Sequence, residues 1–228
     1  SHPDLNILVI ENEKNVGFVK SVNIGLKYSD RDVVILNSDI IVTRNWIDKL
    51  WHCAYSRPNV ATVTPFSNNA TICSIPEWLK DNSIPDGFTI DSFARLVERI
   101  SFAEYPEIPT AVGFCMYLRR DAINEVGYFD EENFGKGYGE ENDFSMRALK
   151  KGYVNLLCDT LFIYHKGGSS FSKEVKRERE IESVKIMSRL HPEYIELVKQ
   201  FINTNPLKHY HVLFQYMITH INELKQRW

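Results

Sequence analysis

The chain has 228 residues, of which 43% are hydrophobic and 12% aromatic, enough apolar material for one large packed domain. Its formal net charge of −3 gives no sign of a nucleic-acid partner. No apolar run approaches the roughly 18 residues of a membrane-spanning helix, and no signal peptide is recognisable. The four cysteines have no CxxC spacing, so we expect reduced core residues of a cytoplasmic protein and no disulfide framework.

Short apolar runs alternate with amphipathic segments along the chain. The runs predict strands at residues 7–10, 33–36, 60–64, 111–118, 154–158 and 161–164. Helical periodicity predicts helices at residues 19–28, 46–54, 93–100, 121–127 and 140–151. This alternation indicates an α/β fold, a mixed and mostly parallel sheet flanked by helices.

Two segments depart from the alternation. Residues 66–109 contain several prolines and one amphipathic helix, and we expect them to form an insertion that caps the sheet. Everything beyond residue 173 is helical in pattern, with breaks at 191–192 and 205–206. We therefore expect a domain over residues 1–172 and a helical extension over residues 173–228.

The stretch NFGKGYGEENDFSMR, residues 133–147, concentrates polar chemistry. Alternating glycines predict a mobile loop or a close approach to a ligand, and acids then open a helix, where the macrodipole favours them. Two interpretations are open, a catalytic cluster and an ordinary acidic first turn. The residues concerned are Gly135, Gly137, Gly139, Glu140, Glu141 and Asp143.

Asp39 and His165 each follow a predicted strand. One carboxylate and one imidazole, completed by substrate oxygens, suit a Mn²⁺ or Mg²⁺ ion that holds a phosphate. The alternative is that Asp39 is an ordinary acid in a turn at the end of a strand, and that His165 is a core histidine whose hydrogen bonds are made within the protein.

Two loops, residues 15–18 and 166–170, could bind phosphate through backbone N–H groups or be plain turns. Aromatic residues surround the acid cluster at residues 140–143, and they could either stack on a sugar ring or belong to the hydrophobic core: Phe129, Phe134, Tyr138 and Phe144.

The order of these segments resembles the glycosyltransferase family 2 enzymes with the GT-A fold, especially bacterial members that build surface polysaccharides. The matching segments are NVGFVKSVNIGL near the nucleotide, LNSDIIV in place of the DxD metal motif, AVGFCMYLRRDAINEVGYFDE before the acceptor loop, GYGEENDFSMR with the catalytic base, and YHKGGSSF with a metal ligand.

The resemblance implies a metal-dependent, inverting, hexosyltransferase-like enzyme. It would move a sugar from a nucleoside diphosphate sugar to a hydroxyl of a glycan or lipid-linked saccharide, in surface polysaccharide or glycoconjugate synthesis. Glu141 would be the general base, Glu140 and Asp143 would hold acceptor hydroxyls or orient the loop, and Asp39 and His165 would bind Mn²⁺ or Mg²⁺. The implied cofactor-binding residues are Asn15, Gly17, Asn23, Asn37, Ser38, Gly113 and Lys166.

Two features depart from the family pattern. The DxD position reads Asn37-Ser38-Asp39, which leaves one carboxylate ligand. The strands that bind the nucleotide base in the family have no counterpart before Ser1, so we expect an N-terminally incomplete domain. The alternatives are a non-catalytic binding or assembly module of a larger glycosyltransferase, and a metal-dependent nucleotidyltransferase or hydrolase. Candidate specificity residues are Phe66, Asn68, Asn69 and Trp78.

The segment beyond residue 173 carries 10 Lys+Arg against 7 Asp+Glu. Its amphipathic pieces suit packing against the domain or formation of a homodimer. Its basic excess suits peripheral attachment to an anionic membrane. We therefore expect a cytoplasmic protein, with the inner face of the plasma membrane as the alternative location.

Overall fold

The computed structural model describes residues 6–135, 137–167 and 173–226. The strands are β1 (Val33–Leu36), β2 (Ile40–Ile41), β3 (Val60–Phe66), β4 (Glu107–Ile108), β5 (Cys115–Leu118), β6 (Val154–Phe162) and β7 (Tyr164–His165). The helices are α1 (Phe18–Tyr28), α2 (Trp46–Ala54), α3 (Ile90–Ile100), α4 (Arg120–Val126), α5 (Glu131–Phe134), α6 (Glu140–Lys150), α7 (Lys173–Leu190), α8 (Tyr194–Thr204) and α9 (Lys208–Gln226), with a short 3₁₀ turn at Thr71–Cys73. Within the described ranges, no helix has the length and apolar character needed to cross a membrane.

Five strands form a mixed sheet in the order β1-β5-β3-β6-β4, so the predicted mixed α/β class is confirmed. The strands β1, β3 and β6 run in one direction, and only the β3–β6 pair is parallel among the described pairings. The strand β5 lies between β1 and β3 and is antiparallel to both. The strands β4 and β5 run opposite to the other three, because β4 is antiparallel to β6 and β5 is antiparallel to β1 and β3.

The predicted strand at residues 7–10 is wrong. This apolar segment forms no strand in the described structure, and Ile7 and Val9 are 73% and 72% exposed. A strand requires backbone hydrogen bonds to a neighbouring strand. The strand β1 is at one edge of the described sheet and pairs only with β5, so it does not pair with residues 7–10. Apolar character alone therefore did not decide the conformation of this segment.

A second, two-stranded sheet determines the geometry of the site. The strands β2 and β7 are antiparallel, and Ile40 lies opposite His165. Residues about 125 positions apart in the chain are thereby held at adjoining strand ends. The predicted separation of residues 154–158 from 161–164 is also corrected, because β6 continues to Phe162 before β7 begins.

Two hydrophobic clusters flank the main sheet. One contains β3 and β6 residues with α2 and α3, and it also contains Leu207, Tyr210 and Phe214 of the C-terminal segment. The other contains α1, α4 and α6 residues with Met187 of α7. The helices beyond residue 173 therefore pack against the preceding residues. Of the two expectations for these helices, packing and formation of a homodimer, the structure shows the packing. The aromatic residues Phe129, Phe134 and Phe144 are buried and belong to the core, and all four cysteines are buried and free.

Candidate active site

The side chains of Asp39 and His165 lie close together, because Asp39 directly precedes β2 and His165 is the last residue of β7. Asp39 Oδ1 lies 3.4 Å from His165 Nε2, and the Lys166 N–H donates to the Asp39 carbonyl at 2.9 Å. His165 Nδ1 lies 2.7 Å from the carbonyl oxygen of Asn69. Because a carbonyl oxygen only accepts, Nδ1 carries a proton, and Nε2 is the ring nitrogen that faces Asp39.

The histidine is held on every side by its neighbours. Asn68 accepts from the His165 N–H at 2.8 Å and donates to the His165 carbonyl at 2.9 Å. The Phe114 ring stacks on the imidazole with centroids 5.3 Å apart and an interplanar angle of 17°. A fixed tautomer with its second nitrogen bonded to a carbonyl is the usual state of a metal-binding histidine.

This pair has the donor chemistry of a divalent-metal site. A carboxylate oxygen and an imidazole nitrogen that face each other at 3.4 Å suit Mn²⁺, with Mg²⁺ as the harder alternative. The described residues contain no group of three or more His, Cys, Asp or Glu side chains arranged for a metal ion. The residues present therefore fit an ion that takes its other ligands from phosphate oxygens or water.

Glu141 lies in the first turn of α6, against the strand-entry segment that carries Phe114. A Cβ built on Gly113 would be 3.8 Å from Glu141 Cδ, an ordinary van der Waals distance, so the Gly113 backbone lies next to the carboxylate. Glu141 Oε2 accepts from the Gly139 N–H at 3.2 Å. Burial raises the pKa of Glu141, against the opposing effect of backbone N–H groups from Glu141 itself, Gly139 and Asn142. A carboxylate with a raised pKa is a better proton acceptor near neutral pH.

Glu140 is a buried carboxyl beside Glu141. It is 6% exposed, and its Oε2 has no hydrogen-bond partner among the described residues. Burial, and secondly the charge of Glu141, raise the pKa of Glu140 from 4.5 to about 8. At neutral pH Glu140 therefore holds a proton that it can donate in a hydrogen bond.

Asp143, the third predicted acid, faces the protein interior. It is 2% exposed, its Oδ2 accepts from Arg147 at 2.8 Å, and its Oδ1 lies 2.8 Å from His191 Nε2. Of its two expected roles, holding acceptor hydroxyls or orienting the loop, the geometry fits the orienting role.

The segment before α1 contacts the glycine-rich stretch before α6. Gly17 has φ +85°, and a Cβ there would lie 2.8 Å from the Gly135 carbonyl oxygen. Asn15 Oδ1 accepts from the Gly17 N–H at 2.9 Å, which makes a tight turn at the start of the helix. Only a residue without a side chain allows this approach.

The remaining predicted residues occupy different positions. Asn23 is buried, donates to the Phe129 carbonyl and to Glu131 Oε1, and accepts from the Phe129 N–H, so it ties α1 to α5 and does not face a ligand. The Asn37 N–H donates to the Phe114 carbonyl at 2.9 Å. Ser38 and Lys166 are exposed. Of the predicted phosphate loop 166–170, residues 168–170 lie outside the described residues.

The candidate specificity residues divide into three groups. Phe66 is fully buried against Tyr210 and Phe214. Asn68 and Asn69 support His165 as described above. Trp78 lines a surface groove of about 590 Å³, and the residues that line it do not include Asp39, Glu141 or His165. The groove is lined by Pro76, Glu77, Trp78, His211, Val212 and Gln215.

Sequence reasoning missed two residues that shape the site. Phe114 was seen only as part of a strand, although its ring stacks on His165. His191 was seen only as a helix break before Pro192, although it is 3% exposed and contacts Asp143. A buried histidine cannot be distinguished from an exposed one at a helix end by local pattern, so only the tertiary contact could identify it.

Comparison with known proteins identifies the family of this chain. The model of glycosyl transferase family 2 matches residues 2–127, more than half of the chain. Uncharacterized proteins of Mycobacterium bovis and Mycobacterium tuberculosis are 33% identical over 66 residues, which cover 28% of this chain and 25% of those proteins. The chain thus spans a quarter of the length of these curated relatives.

Two solved structures resemble this chain. The crystal structure of GalNAc-T7 with UDP, GalNAc and Mn²⁺ has a TM-score of 0.52 at 16% identity, and the match covers 78% of this chain and 35% of that one. A Pyrobaculum calidifontis mannosyltransferase with GDP-Man and Mn²⁺ has a TM-score of 0.48 at 13% identity, over 100% and 72% of the two chains. The first likeness confirms the GT-A type of fold, and the family match shows that this chain belongs to glycosyl transferase family 2.

Proposed function

We propose that this chain catalyses the metal-dependent, inverting transfer of a sugar from a nucleoside diphosphate sugar to an acceptor hydroxyl. The observation that carries the proposal is the position of Gly113 and Phe114. The Phe114 ring stacks on His165, and Gly113 lies against the Glu141 side chain. The candidate metal pair and the candidate base thus both lie against one short segment, residues 113–114.

Glu141 is the general base in this proposal. Its carboxylate takes the proton of the acceptor hydroxyl as that oxygen attacks the anomeric carbon from the side opposite the diphosphate. The bond between the anomeric carbon and the diphosphate oxygen breaks, the nucleoside diphosphate leaves with that electron pair, and the configuration inverts. General base catalysis of this kind typically contributes about 10²- to 10⁴-fold in rate.

Three further features support the same reaction. Glu140, protonated at neutral pH, donates a hydrogen bond to an acceptor oxygen beside Glu141. Asp39 and His165 hold Mn²⁺ or Mg²⁺, which neutralises negative charge on the diphosphate when bound. The glycines 135, 137 and 139 let the backbone close over the donor and exclude water. The complex of GalNAc-T7 with UDP, GalNAc and Mn²⁺ agrees with a nucleotide and manganese at such a site.

The wider role is a further part of the proposal. We propose a glycan or lipid-linked saccharide as the acceptor, and surface polysaccharide or glycoconjugate synthesis as the process. The cytoplasmic location, peripheral membrane attachment and a homodimer through the C-terminal helices stay predictions. A non-catalytic binding or assembly module is the second candidate, and the single carboxylate of the Asp39–His165 pair is the observation that favours it.

The first experiment is calorimetric binding of UDP, GDP and dTDP with and without Mn²⁺. We expect one nucleotide to bind only with the metal, Asp39→Asn to abolish that binding, and Glu141→Gln to preserve it. Asp48→Asn is the matched control, because Asp48 is an exposed acid on α2. Absence of binding by every nucleotide under both conditions would contradict the proposal for this chain.

The second experiment measures turnover of the matching nucleotide sugars, by release of nucleoside diphosphate with water or added saccharides as acceptors. We expect Glu141→Gln to lower kcat by about 10²- to 10⁴-fold while the nucleotide affinity stays unchanged. Metal-dependent binding without turnover by the wild-type chain would instead support the binding module. Release of inorganic pyrophosphate from nucleoside triphosphates would support the nucleotidyltransferase alternative.

A further inference from the structure

The acidic helix α6 is clamped by the C-terminal helices at a buried histidine. His191, just after α7, is 3% exposed and Asp143 is 2% exposed. His191 Nε2 lies 2.8 Å from Asp143 Oδ1, and His191 Nδ1 lies 2.8 Å from Lys150 Nζ. One imidazole therefore bridges two positions of α6, two turns apart.

The partners determine the tautomer of this histidine. A carboxylate only accepts hydrogen bonds and an ammonium only donates them. His191 Nε2 therefore carries the proton and donates to Asp143, while Nδ1 accepts from Lys150. Glu193 Oε1 also lies 3.0 Å from Lys150 Nζ. Four polar side chains therefore connect α6 to the α7–α8 junction: Asp143, His191, Lys150 and Glu193.

Other contacts join α7 to the start of α6 and to α5. Gly139, the N-cap of α6, has φ +101°, and a Cβ there would collide with Ser183 Oγ of α7. The Arg189 guanidinium donates to Asn133 Oδ1 of α5. On the opposite side, Arg147 binds Asp143 and donates to the carbonyls of Val126 and Tyr128. Asp143 is thus held between one cation and one imidazole.

We propose that His191 is a positioning residue for the transfer reaction, acting through Asp143 to fix the rotation of α6 and hence the place of the Glu141 carboxylate. This inference rests on the function proposed above. Glu141 precedes Asp143 by two residues on the same helix, so a rotation of the helix at Asp143 displaces the carboxylate against Gly113. The C-terminal helices then form part of the catalytic unit, although none of their described residues belongs to the predicted site.

The test compares His191→Phe, which keeps the ring and removes both hydrogen bonds, with His191→Gln, which keeps an N–H donor for Asp143. Misplacement of a reacting group by about 1 Å costs roughly 100-fold in rate. We therefore expect His191→Phe to lower kcat of donor turnover by about 10- to 100-fold, with an unchanged nucleotide Kd. We expect His191→Gln to recover most of the rate. His52→Phe, at an exposed histidine of α2, is the matched control.

Hydrogen–deuterium exchange of the amides of residues 139–145 separates this inference from the proposed function. We expect faster exchange in His191→Phe than in the wild type, and restored protection in His191→Gln. A His191→Phe variant with a lower Tm but wild-type kcat and exchange would overturn the positioning role, as would a His191→Gln variant as slow as His191→Phe. Absence of turnover in the wild type would count against the proposed function alone, because the exchange comparison still tests the clamp.

Discussion

The side-chain amide of Asn68 holds the backbone of His165 from both sides, accepting from its N–H at 2.8 Å and donating to its carbonyl at 2.9 Å. The same amide also donates to the Asn82 carbonyl at 3.1 Å. A buried asparagine thus fixes the strand from which the imidazole reaches towards Asp39. If His165 binds the metal as proposed, this support affects both metal affinity and stability.

Asn68→Ala should weaken Mn²⁺ binding by roughly 10- to 100-fold, the usual effect of losing support for a metal ligand. It should also lower the free energy of unfolding by about 1–3 kcal/mol, because buried backbone groups lose their partners. Mn²⁺ titration in the presence of the bound nucleotide and thermal unfolding measure the two effects. Asn59→Ala is the control, since that amide donates to the Gly152 carbonyl at an exposed position. Equal Mn²⁺ affinities in the two variants would refute the role of Asn68.

Glu140 should make stability depend on pH. Its pKa is raised to about 8 in the folded chain from 4.5, so between these values the folded state binds more protons than the unfolded state. Its contribution is then fully present below about pH 4.5 and is lost as the pH rises through 8. Relative to Glu140→Gln, the wild type should therefore lose stability from pH 5 to pH 8. Each pKa unit corresponds to about 1.4 kcal/mol, which Tm measurements detect.

The control for this pH series is Glu196→Gln, at an exposed glutamate of α8. The difference between that variant and the wild type should stay flat from pH 5 to pH 8. A flat difference for Glu140→Gln as well would show that the Glu140 carboxyl is not protonated in the folded chain. In that case its proposed hydrogen bond to the acceptor would fail too.

The close approach of Gly17 to Gly135 should be sensitive to a single methyl group. Gly17→Ala places a side chain at φ +85° and a Cβ 2.8 Å from the Gly135 carbonyl oxygen. We expect a loss of roughly 1–3 kcal/mol in unfolding free energy and weaker nucleotide binding, because the glycine-rich stretch must move.

Gly25→Ala provides the opposite expectation. Gly25 lies inside α1, and a Cβ there meets nothing within 4 Å, so alanine should stabilise the helix by roughly 0.5–1 kcal/mol. Denaturant unfolding of both variants gives the comparison. A Gly17→Ala variant as stable as Gly25→Ala would contradict the observed contact.

The C-terminal helix α9 should unfold together with the domain. Phe214 is fully buried and packs edge-to-face on Phe66 with ring centroids 5.7 Å apart. Phe214→Ala should cost about 3–5 kcal/mol, whereas Tyr216→Ala, at a residue 56% exposed, should change stability by no more than about 0.5 kcal/mol. A small effect of Phe214→Ala would instead support a separable extension over residues 173–228.

Local sequence patterns were sufficient for most of the elements. Apolar runs predicted β1, β3 and β6, and helical periodicity with its breaks predicted α1, α6 and the three C-terminal helices. These features depend on residues a few positions apart, whose spacing the backbone geometry translates directly into one face of a helix or strand. The order of the five motifs was likewise sufficient to indicate the family.

Only the tertiary structure decided which of these residues work together. Glu141 and Asp143 are similar acids two positions apart, yet one lies against Gly113 and the other is enclosed by Arg147 and His191. The apolar run at residues 7–10 is exposed, while Phe214, near the far end, lies in the core. The reason is physical: burial and hydrogen bonding depend on partners more than a hundred positions away in some cases, and local periodicity contains no information on which distant surface a residue will meet.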